Sequence, residues 1–344
     1  MRVLIVRIGA MGDVVHSMPA VAALRELHPD WEIRWAIEPV WTELMLAGDF
    51  DASRGRDEGM PLVDGWYPVP TKAWKKRPLA GETIREIRAL RKELQRERFD
   101  LCVDMQGAVR SAVVGKLARA GKLVGAAKPR ESAAKWFYDE IVATPAVHVA
   151  DQGCELLSGA IGEKLEAARV SFPVNRVAEA WCDGVVDGSK RLVVMAPAAG
   201  WGAKEWPAER YGAVAAQLGR AGFGVVVNAV PGGDPVAEGM VAASEGFARA
   251  VPCSVGQMIS LMRRAELVIG GDTGPLHLAA ALERPVLAIY GPTNPERNGP
   301  FGAARMEVLR DASSVTDHSR FKSAEAGMLK IGVDEVVATA MEML

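Results

Sequence analysis

Short apolar runs alternate along this chain with segments whose apolar residues recur every three or four positions. The run at 2–8 predicts a buried strand, residues 14–27 have helical spacing, and residues 32–37 predict a second strand. The same alternation predicts further strands at 99–105, 122–125, 191–196, 222–230, 267–270 and 285–290. It predicts further helices at 82–97, 108–119, about 151–166, 207–220, 254–264, 275–282 and 333–343.

This alternation occurs twice, in two halves of similar length, although no internal sequence repeat accompanies it. Strands that alternate with helices indicate parallel sheets, so the pattern predicts an α/β protein with two doubly wound, Rossmann-like domains and a cleft between them. A length of 344 residues suits two domains. Residues 48–80 are less regular, and 150–190 carry weak strand signals.

Composition narrows the class of protein. Hydrophobic residues make up 49% of the chain and the net charge is −2, so nothing in the overall charge favours a nucleic-acid partner. The four cysteines and five histidines have neither disulfide-framework nor metal-ligand spacing, so we expect no metal and a reducing compartment. The apolar stretch 3–6 is too short for a signal peptide, and no run would span a bilayer. We therefore expect a cytoplasmic protein.

A glycine-rich turn at 270–277 is the strongest chemical motif. It follows a predicted strand and opens a helix, where Asp272 or Thr273 can cap and Pro275 suits the first turn. Free amides and the positive end of the helix dipole suit a diphosphate there, and Gly274 lets phosphate oxygens approach the main chain. The alternative is a capped helix without a ligand.

A second turn, Gly9–Asp13, follows the first strand. Ligands of open α/β sheets bind outside the carboxyl ends of the strands, so Asp13 is a candidate general base. The alternative is a helix N-cap. The glycines do not match the dinucleotide-binding pattern, which disfavours an oxidoreductase.

Basic residues mark two further candidate sites. Lys204 stands in a glycine-bearing loop between a strand and a helix, where it can reach a phosphate, or it is a surface lysine between packed tryptophans. Lys72, Lys75, Lys76 and Arg77 cluster around Trp74, and Arg130 follows later; they indicate either a solvated surface or a site for an anionic lipid head group. The charged face of the helix at 82–97 carries both signs, which favours simple solvation.

Taken together, these segments resemble the lipopolysaccharide heptosyltransferase family, and most closely its heptosyltransferase I branch. The resemblance covers most of the chain. It is carried by three blocks in the same order: Val3–Asp13 with His16 and Pro19, then Asp104–Gly107, then Asp272–Ala281 with Arg284-Pro285 and Tyr290–Thr293.

The resemblance implies a GT-B fold with an acceptor-binding domain at 1–170 and a nucleotide-sugar-binding domain at 171–344. It leaves open a return of the last helix to the N-terminal domain. It also implies an inverting, metal-independent transfer of L-glycero-D-manno-heptose from ADP-heptose to the Kdo residue of the lipopolysaccharide inner core. No cofactor is implied, because ADP-heptose is a substrate. The expected protein is a monomer that meets its anionic Kdo-lipid A acceptor at the inner face of the cytoplasmic membrane.

Matching positions carry over the site residues. Asp13 is the implied general base. The implied donor-binding residues are Lys204, Asp272, Thr273, Gly274, Leu276, His277 and Glu238, with the amides of 273–275 around the diphosphate. The implied acceptor-binding residues are Gly12, Lys72, Lys75, Lys76, Gln106 and Arg130.

Several alternatives stay open. Ala199 and Gly200 stand where heptosyltransferase I sequences carry hydroxyl residues, so a heptosyltransferase II-like acceptor remains an alternative. A nucleotide-sugar epimerase with the same architecture would need no acceptor. A two-domain sugar-binding protein would bind its ligand without turnover.

Overall fold

We describe a computed structural model of the chain, covering residues 1–48, 50, 55–197, 201–317 and 323–344. The chain divides into two compact units, Met1–Pro173 and Val174–Leu344. The division falls three residues beyond the boundary expected from the sequence.

The first unit is built on one parallel sheet. In its described part the sheet has six strands, in the order β3-β2-β1-β4-β5-β6. The strands are β1 (Arg2–Val6), β2 (Glu32–Ile37), β3 (Gly65–Pro68), β4 (Leu101–Asp104), β5 (Lys122–Ala126) and β6 (Glu140–Val142). The helices are α1 (Met11–Leu27), α2 (Thr71–Lys76), α3 (Gly81–Glu97), α4 (Val109–Ala118) and α5 (Val149–Ile161), with 3₁₀ turns at Pro39–Leu44 and Ser132–Phe137.

The second unit repeats this arrangement. Six parallel strands of its described part follow the order β12-β11-β10-β7-β8-β9. They are β7 (Leu192–Ala196), β8 (Gly224–Ala229), β9 (Ala248–Pro252), β10 (Leu267–Gly271), β11 (Val286–Ile289) and β12 (Met306–Leu309). The helices are α6 (Arg176–Val185), α7 (Ala208–Arg220), α8 (Pro235–Ala243), α9 (Val255–Arg264), α10 (Gly274–Ala281), α11 (Pro295–Asn298) and α12 (Val333–Met343), with 3₁₀ turns at Gly202–Lys204 and Met328–Lys330.

Each sheet has the Rossmann strand order, which confirms the predicted fold class. The central strands are covered on both faces, which explains their continuous apolar runs: Val3 to Val6 and Val193 to Met195 are fully buried. In each unit the strand order reverses between two central strands, β1 and β4 in the first and β7 and β10 in the second. Ligands of doubly wound sheets bind at this switch point, so it locates the candidate sites.

The last helix, α12, belongs to the second unit, where Val336, Ala340 and Met343 pack into the core and the helix lies against α7. One expectation about a helix needs correction. The helix expected at 151–166 ends at Ile161, because Gly162 adopts a left-handed conformation (φ 78°) that closes α5.

Candidate functional site

The turn after β1 positions Asp13 in the first turn of α1. The N-cap position belongs to Ala10, whose side chain cannot accept a hydrogen bond. The Asp13 carboxylate accepts the Ala10 N–H instead (3.2 Å), and its other oxygen lies 3.0 Å from an Arg7 guanidinium nitrogen. Its side chain remains 40% exposed. Asp13 therefore helps to close the helix end and still presents a carboxylate to solvent at the switch point.

Arg7 was not predicted from the sequence, yet it organises this turn. Its side chain is largely buried, and it also donates to the main-chain oxygens of Asp13 and Met105. It therefore ties the end of β1 to the first turn of α1 and to the end of β4. Gly12, an expected acceptor contact, lies half-buried in the same first turn.

Gln106 follows β4 and faces the end of β1. Its Oε1 accepts the Ile8 N–H (2.8 Å), which leaves its buried Nε2 without an acceptor in the described part of the chain. The neighbouring Asp104 accepts hydrogen bonds from the Gln106 and Gly107 amides and from the Tyr138 hydroxyl. Burial raises the pKa of Asp104, and these hydrogen bonds oppose that shift. Asp104 thus shapes the turn that carries Gln106.

Arg130 lies at the same edge of the sheet, in close contact with Gly107. Gly107 has a φ of +65°, and a Cβ atom there would lie 3.0 Å from the Arg130 nitrogen and from the Pro129 Cβ. The Gly107 carbonyl accepts the Glu131 N–H (2.9 Å). The glycine therefore permits the close contact that places Arg130, whose side chain is exposed, beside the Gln106 turn.

The basic cluster lies on α2, which Glu38 holds at the end of β2. The buried Glu38 carboxylate accepts hydrogen bonds from the Thr71 hydroxyl (2.8 Å) and the Lys72 N–H (3.4 Å). Lys72 Nζ lies 5.8 Å from the ring centre of Trp41, and a Cβ on Gly9 would lie 3.0 Å from the indole nitrogen of Trp41. Lys72 is thereby close to the Gly9–Asp13 turn. The other two lysines of the cluster are exposed; they are Lys75 and Lys76.

The second site surrounds Asp272, directly after β10. One carboxylate oxygen of Asp272 pairs with Lys204 Nζ, and the other lies 2.9 Å from His277 Nε2. Burial alone would raise the pKa of Asp272, but His277 and Lys204 together hold it well below its usual range. Asp272 is therefore ionised and compensated inside the protein. Lys204 is mostly buried in this pair and also lies over the Trp201 ring (5.3 Å).

Gly271 allows Lys204 to come close to Asp272. A Cβ atom on Gly271 would lie only 3.3 Å from the Lys204 carbonyl oxygen. Gly271 therefore lets the Lys204 segment approach the end of β10. Ala199 and Gly200, which precede this segment, lie outside the described residues.

Thr273 is the N-cap of α10, and its hydroxyl faces the Leu276 N–H at 3.4 Å. The expectation that the amides of 273–275 all face a phosphate was wrong, because Pro275 has no N–H. The N–H groups of Thr273 and Gly274 find no acceptor within the described residues. They are the donors that remain available to an anion at this helix end. The Leu276 side chain is buried in the core.

Glu238 lies apart from these contacts, in the first turn of α8. It is exposed, and the N-cap of α8 is Asp234, which accepts from Ala237 and Val230. Because α8 follows β8, the neighbour of β7, Glu238 lies near the carboxyl edge of the sheet. In Rossmann-like domains an acidic residue after the second strand is suited to a ribose hydroxyl.

Three organising residues were given no role from the sequence, although Arg7 and Asp104 stand inside the blocks that carry the resemblance. Arg7, Glu38 and Asp104 act through partners tens of residues away, so the fold is needed to show what they do. Within the described residues, no group of three or more His, Cys, Asp or Glu side chains is arranged to hold a metal ion. Across the same residues, no helix combines the length and apolar character needed to cross a membrane.

Known proteins resemble this chain along most of its length. The family model "Glycosyltransferase family 9 (heptosyltransferase)" matches residues 87–326. Lipopolysaccharide heptosyltransferase 1 of Escherichia coli K12 is 28% identical over 320 residues, covering 89% of this chain and 92% of that protein. Lipopolysaccharide heptosyltransferase 1 of Pseudomonas aeruginosa is 28% identical over 321 residues, covering 90% and 84%.

A solved structure shares the fold. E. coli heptosyltransferase WaaC with ADP-2-deoxy-2-fluoro heptose superposes with a TM-score of 0.77 at 24% identity, covering 100% of both chains. This likeness confirms the expected GT-B fold of two Rossmann-like domains. With the family match over most of the chain, it follows that the protein belongs to glycosyltransferase family 9, the heptosyltransferases.

Proposed function

We propose that this protein transfers L-glycero-D-manno-heptose from ADP-heptose to the Kdo residue of the lipopolysaccharide inner core. Two relatives that align along most of the chain are named lipopolysaccharide heptosyltransferase 1, and a structural neighbour was solved with an ADP-heptose analogue. The observation that carries the proposal is the Lys204–Asp272–His277 arrangement at the start of α10.

This arrangement suits the diphosphate of a nucleotide sugar. The N–H groups of Thr273 and Gly274 and the positive end of α10 attract an anion. Lys204 has three N–H donors and uses one on Asp272, so two remain for phosphate oxygens. Asp272 keeps the lysine in place, and His277 in turn fixes Asp272. Glu238 is assigned to the ribose, and Leu276 supports the turn from the core.

The second substrate is an anionic sugar acceptor, assigned to the first unit. Asp13 takes the proton from the acceptor hydroxyl as its oxygen attacks the anomeric carbon. Acceptor binding is assigned to Gly12 and Gln106 beside Asp13, and to the basic side chains of Lys72, Lys75, Lys76 and Arg130. A single displacement of this kind needs one base and inverts the anomeric configuration.

Negative charge grows on the departing ADP during this step. Lys204 and the two free N–H groups stabilise that charge, so the proposed reaction needs no metal ion. The sugar acquires oxocarbenium character, by analogy with glycoside hydrolysis. We further propose that the protein acts as a monomer, in the cytoplasm, on an acceptor embedded in the inner face of the cytoplasmic membrane.

The test combines the purified protein with ADP-heptose in EDTA, with and without Kdo-lipid A. We expect the acceptor mass to rise by one heptose and ADP to appear only when acceptor is present. Release of ADP without acceptor, or conversion of the donor to an isomer, would contradict the proposed transfer. Transfer to an acceptor that already carries heptose, but not to Kdo-lipid A, would instead indicate a heptosyltransferase II-like acceptor.

A further inference from the structure

Charges on helix α3 are segregated by sign, contrary to the mixed face expected from the sequence. The side that packs on the sheet carries Thr83, Leu90 and Leu94, whereas Ile84, expected on that side, is 39% exposed. The exposed crest carries four cations at spacings of three and four residues. We call them the cationic ridge: Arg85, Arg88, Lys92 and Arg96.

The cationic ridge is electrostatically unfavourable by itself. Arg85 and Arg88 are three residues apart, and Lys92 lies four residues from both Arg88 and Arg96. Like charges at these spacings repel each other on a helix. Within the described residues none of the four forms an ion pair, whereas nearby Lys116 and Lys122 each pair with a carboxylate at 2.8 Å.

Two of the four acidic residues of α3 are engaged by neighbouring elements. Glu86 accepts the indole N–H of Trp74 (2.6 Å), and Glu97 pairs with Arg34 (3.3 Å). The other two, Glu82 and Glu93, are exposed on one flank of the helix, beside the crest. The ridge is left as a straight row of positive charge about 17 Å long, at 1.5 Å per helical residue.

An apolar side chain projects beside the start of the ridge. Leu79, in the turn between α2 and α3, is 89% exposed. The turn is held by hydrogen bonds from the Ala80 N–H (3.2 Å) and the buried Thr83 hydroxyl (2.8 Å) to the Arg77 carbonyl. Leu79 is therefore displayed on an ordered turn, next to the cations of α2.

The location of this turn relates it to the acceptor site. The chain enters α2 from the carboxyl end of β3, and Glu38 at the end of β2 binds α2. The Leu79 turn thus belongs to the sheet edge that carries Asp13, and the ridge runs from that edge along α3.

We propose that Leu79 and the cationic ridge form a docking surface for an anionic phospholipid bilayer. A row of exposed cations matches the negative potential of such a bilayer, and an exposed leucine inserts among the acyl chains at the interface. The whole chain has a net charge of −2, so the attraction is local to this surface. A nucleic acid would be attracted by the same charges, but a projecting aliphatic side chain adds nothing to phosphate recognition.

This inference rests on the proposed function in one respect: the docking surface would bring the protein to the membrane that holds its lipid-linked acceptor. Its test is independent of that function, because binding is measured without donor or acceptor. The full chain is mixed with vesicles of phosphatidylcholine alone, or of phosphatidylcholine with phosphatidylglycerol, and the bound fraction is measured by flotation. We expect binding to the anionic vesicles that weakens as salt increases.

Matched variants locate the surface. Arg88→Gln with Lys92→Gln is expected to weaken vesicle binding by about 10- to 30-fold, from the contribution of each cation near an anionic surface. Leu79→Ser is expected to weaken it further. The control, Lys190→Gln with Arg249→Gln, removes the same charge from exposed positions of the second unit and is expected to bind like wild type.

Any of three results would overturn the inference. The wild-type protein does not bind anionic vesicles, the ridge variant binds them as well as the control variant does, or the wild-type protein binds an RNA oligonucleotide more tightly than vesicles at the same salt concentration.

Measurements of activity add a separate check. The ridge variant should keep the wild-type rate on a deacylated, water-soluble acceptor and show a raised KM for acceptor embedded in anionic vesicles. If no acceptor is ever glycosylated, the proposed function fails while the flotation result stands.

Discussion

The guanidinium of Arg7 and the carboxylate of Asp13 lie 3.0 Å apart, joining the end of β1 to the first turn of α1. Arg7 also donates to the main chain after β4, so one side chain fixes the switch point of the first sheet. Each carboxylate oxygen of Asp13 has one partner, Arg7 or the Ala10 N–H, and the side chain still remains 40% exposed. The same carboxylate therefore serves the helix end and is available to an acceptor hydroxyl.

Asp13→Asn tests which of these roles matters for turnover. The amide oxygen can still accept the Ala10 N–H, but the ion pair with Arg7 is lost, so we expect a loss of stability of about 1 kcal/mol. It cannot take a proton, so we expect kcat to fall by about 10²- to 10⁴-fold, the usual effect of losing a positioned base. Initial rates of ADP release at saturating substrates measure this, alongside the thermal unfolding midpoint.

A matched control separates catalysis from helix capping. Asp334 is another carboxylate in the first turn of a helix, exposed on α12, so Asp334→Asn removes the same kind of charge. We expect it to leave kcat unchanged. Full activity of the Asp13 variant would show that Asp13 is structural and that a different base operates.

Lys204 is expected to govern donor affinity. A charge-assisted hydrogen bond contributes about 1.5–3 kcal/mol, so Lys204→Met should weaken ADP binding by about 10- to 150-fold. Calorimetric titration with ADP measures the effect, and Lys190→Met, at an exposed position, serves as the control. An unchanged Kd for the Lys204 variant would mean that the lysine only neutralises Asp272.

Asp272 should contribute stability over a defined pH range. Its pKa is well below the usual range in the folded protein, so its contribution is present above the unfolded value of about 3.9 and is lost as pH falls towards the folded value. Asp272→Asn leaves Lys204 without its buried partner and should cost about 3 kcal/mol.

Urea unfolding of wild type and Asp272→Asn at several pH values checks this. We expect the difference in unfolding free energy to be constant from pH 8 to about 5 and to shrink below about 4. A difference that grows as the pH falls would contradict an ionised Asp272 in the folded state.

The sequence predicted the central strands well and the edges of the sheets poorly. β2 and α12 match their predicted bounds, and β1, β4, β7 and β10 were found because they are buried on both faces and read as continuous apolar runs. The four edge strands, β3, β6, β9 and β12, were missed, since exposed residues interrupt their short runs. Their pairing comes from main-chain hydrogen bonds to neighbours, which leave no pattern in the side chains.

The candidate site divides in a similar way. Motifs that follow a strand directly, such as Gly9–Asp13 and Gly270–His277, were located from the rule for open α/β sheets. Glu38 was missed because its role depends on a contact with Thr71 across an irregular segment. The two units share one strand order without a detectable repeat in sequence, because many different apolar sequences can form the same buried parallel sheet.

Gly107 is expected to connect stability with acceptor binding. Gly107→Ala imposes a left-handed conformation on alanine and a contact at 3.0 Å with the Arg130 segment. Gly162→Ala is the matched control, since Gly162 has a similar φ of +78° and nothing within 4 Å of its added Cβ. The control should lose about 1 kcal/mol, from left-handed strain alone. The Gly107 variant should lose about 1–3 kcal/mol more, from overpacking.

The KM for acceptor distinguishes the two glycine variants further. Displacement of the Arg130 segment should raise this KM in the Gly107 variant, while the Gly162 variant keeps the wild-type value. Equal stability losses and equal KM values in both variants would show that the contact between Gly107 and Arg130 is not maintained in solution.

The four cysteines give a direct check of the two cores. All are buried: Cys102, Cys154, Cys182 and Cys253. Burial raises the pKa of Cys154 to about 12 and that of Cys253 to about 11. It also raises the pKa of Cys102 well above its ordinary value. The thiolate is the reactive form, so the folded protein should not react with Ellman's reagent at pH 8 within minutes.

In guanidinium chloride all four thiols should react, because an unfolded cysteine has a pKa of about 8.5. Ser189→Cys supplies an exposed thiol as a positive control and should add one fast-reacting group to the folded protein. A fast thiol in the folded wild type, located by mass spectrometry of the labelled peptides, would contradict the packing around that cysteine. If it were Cys102, the sheet beneath Asp104 and Gln106 would be less closed than described, and the acceptor site built on it would have to be revised.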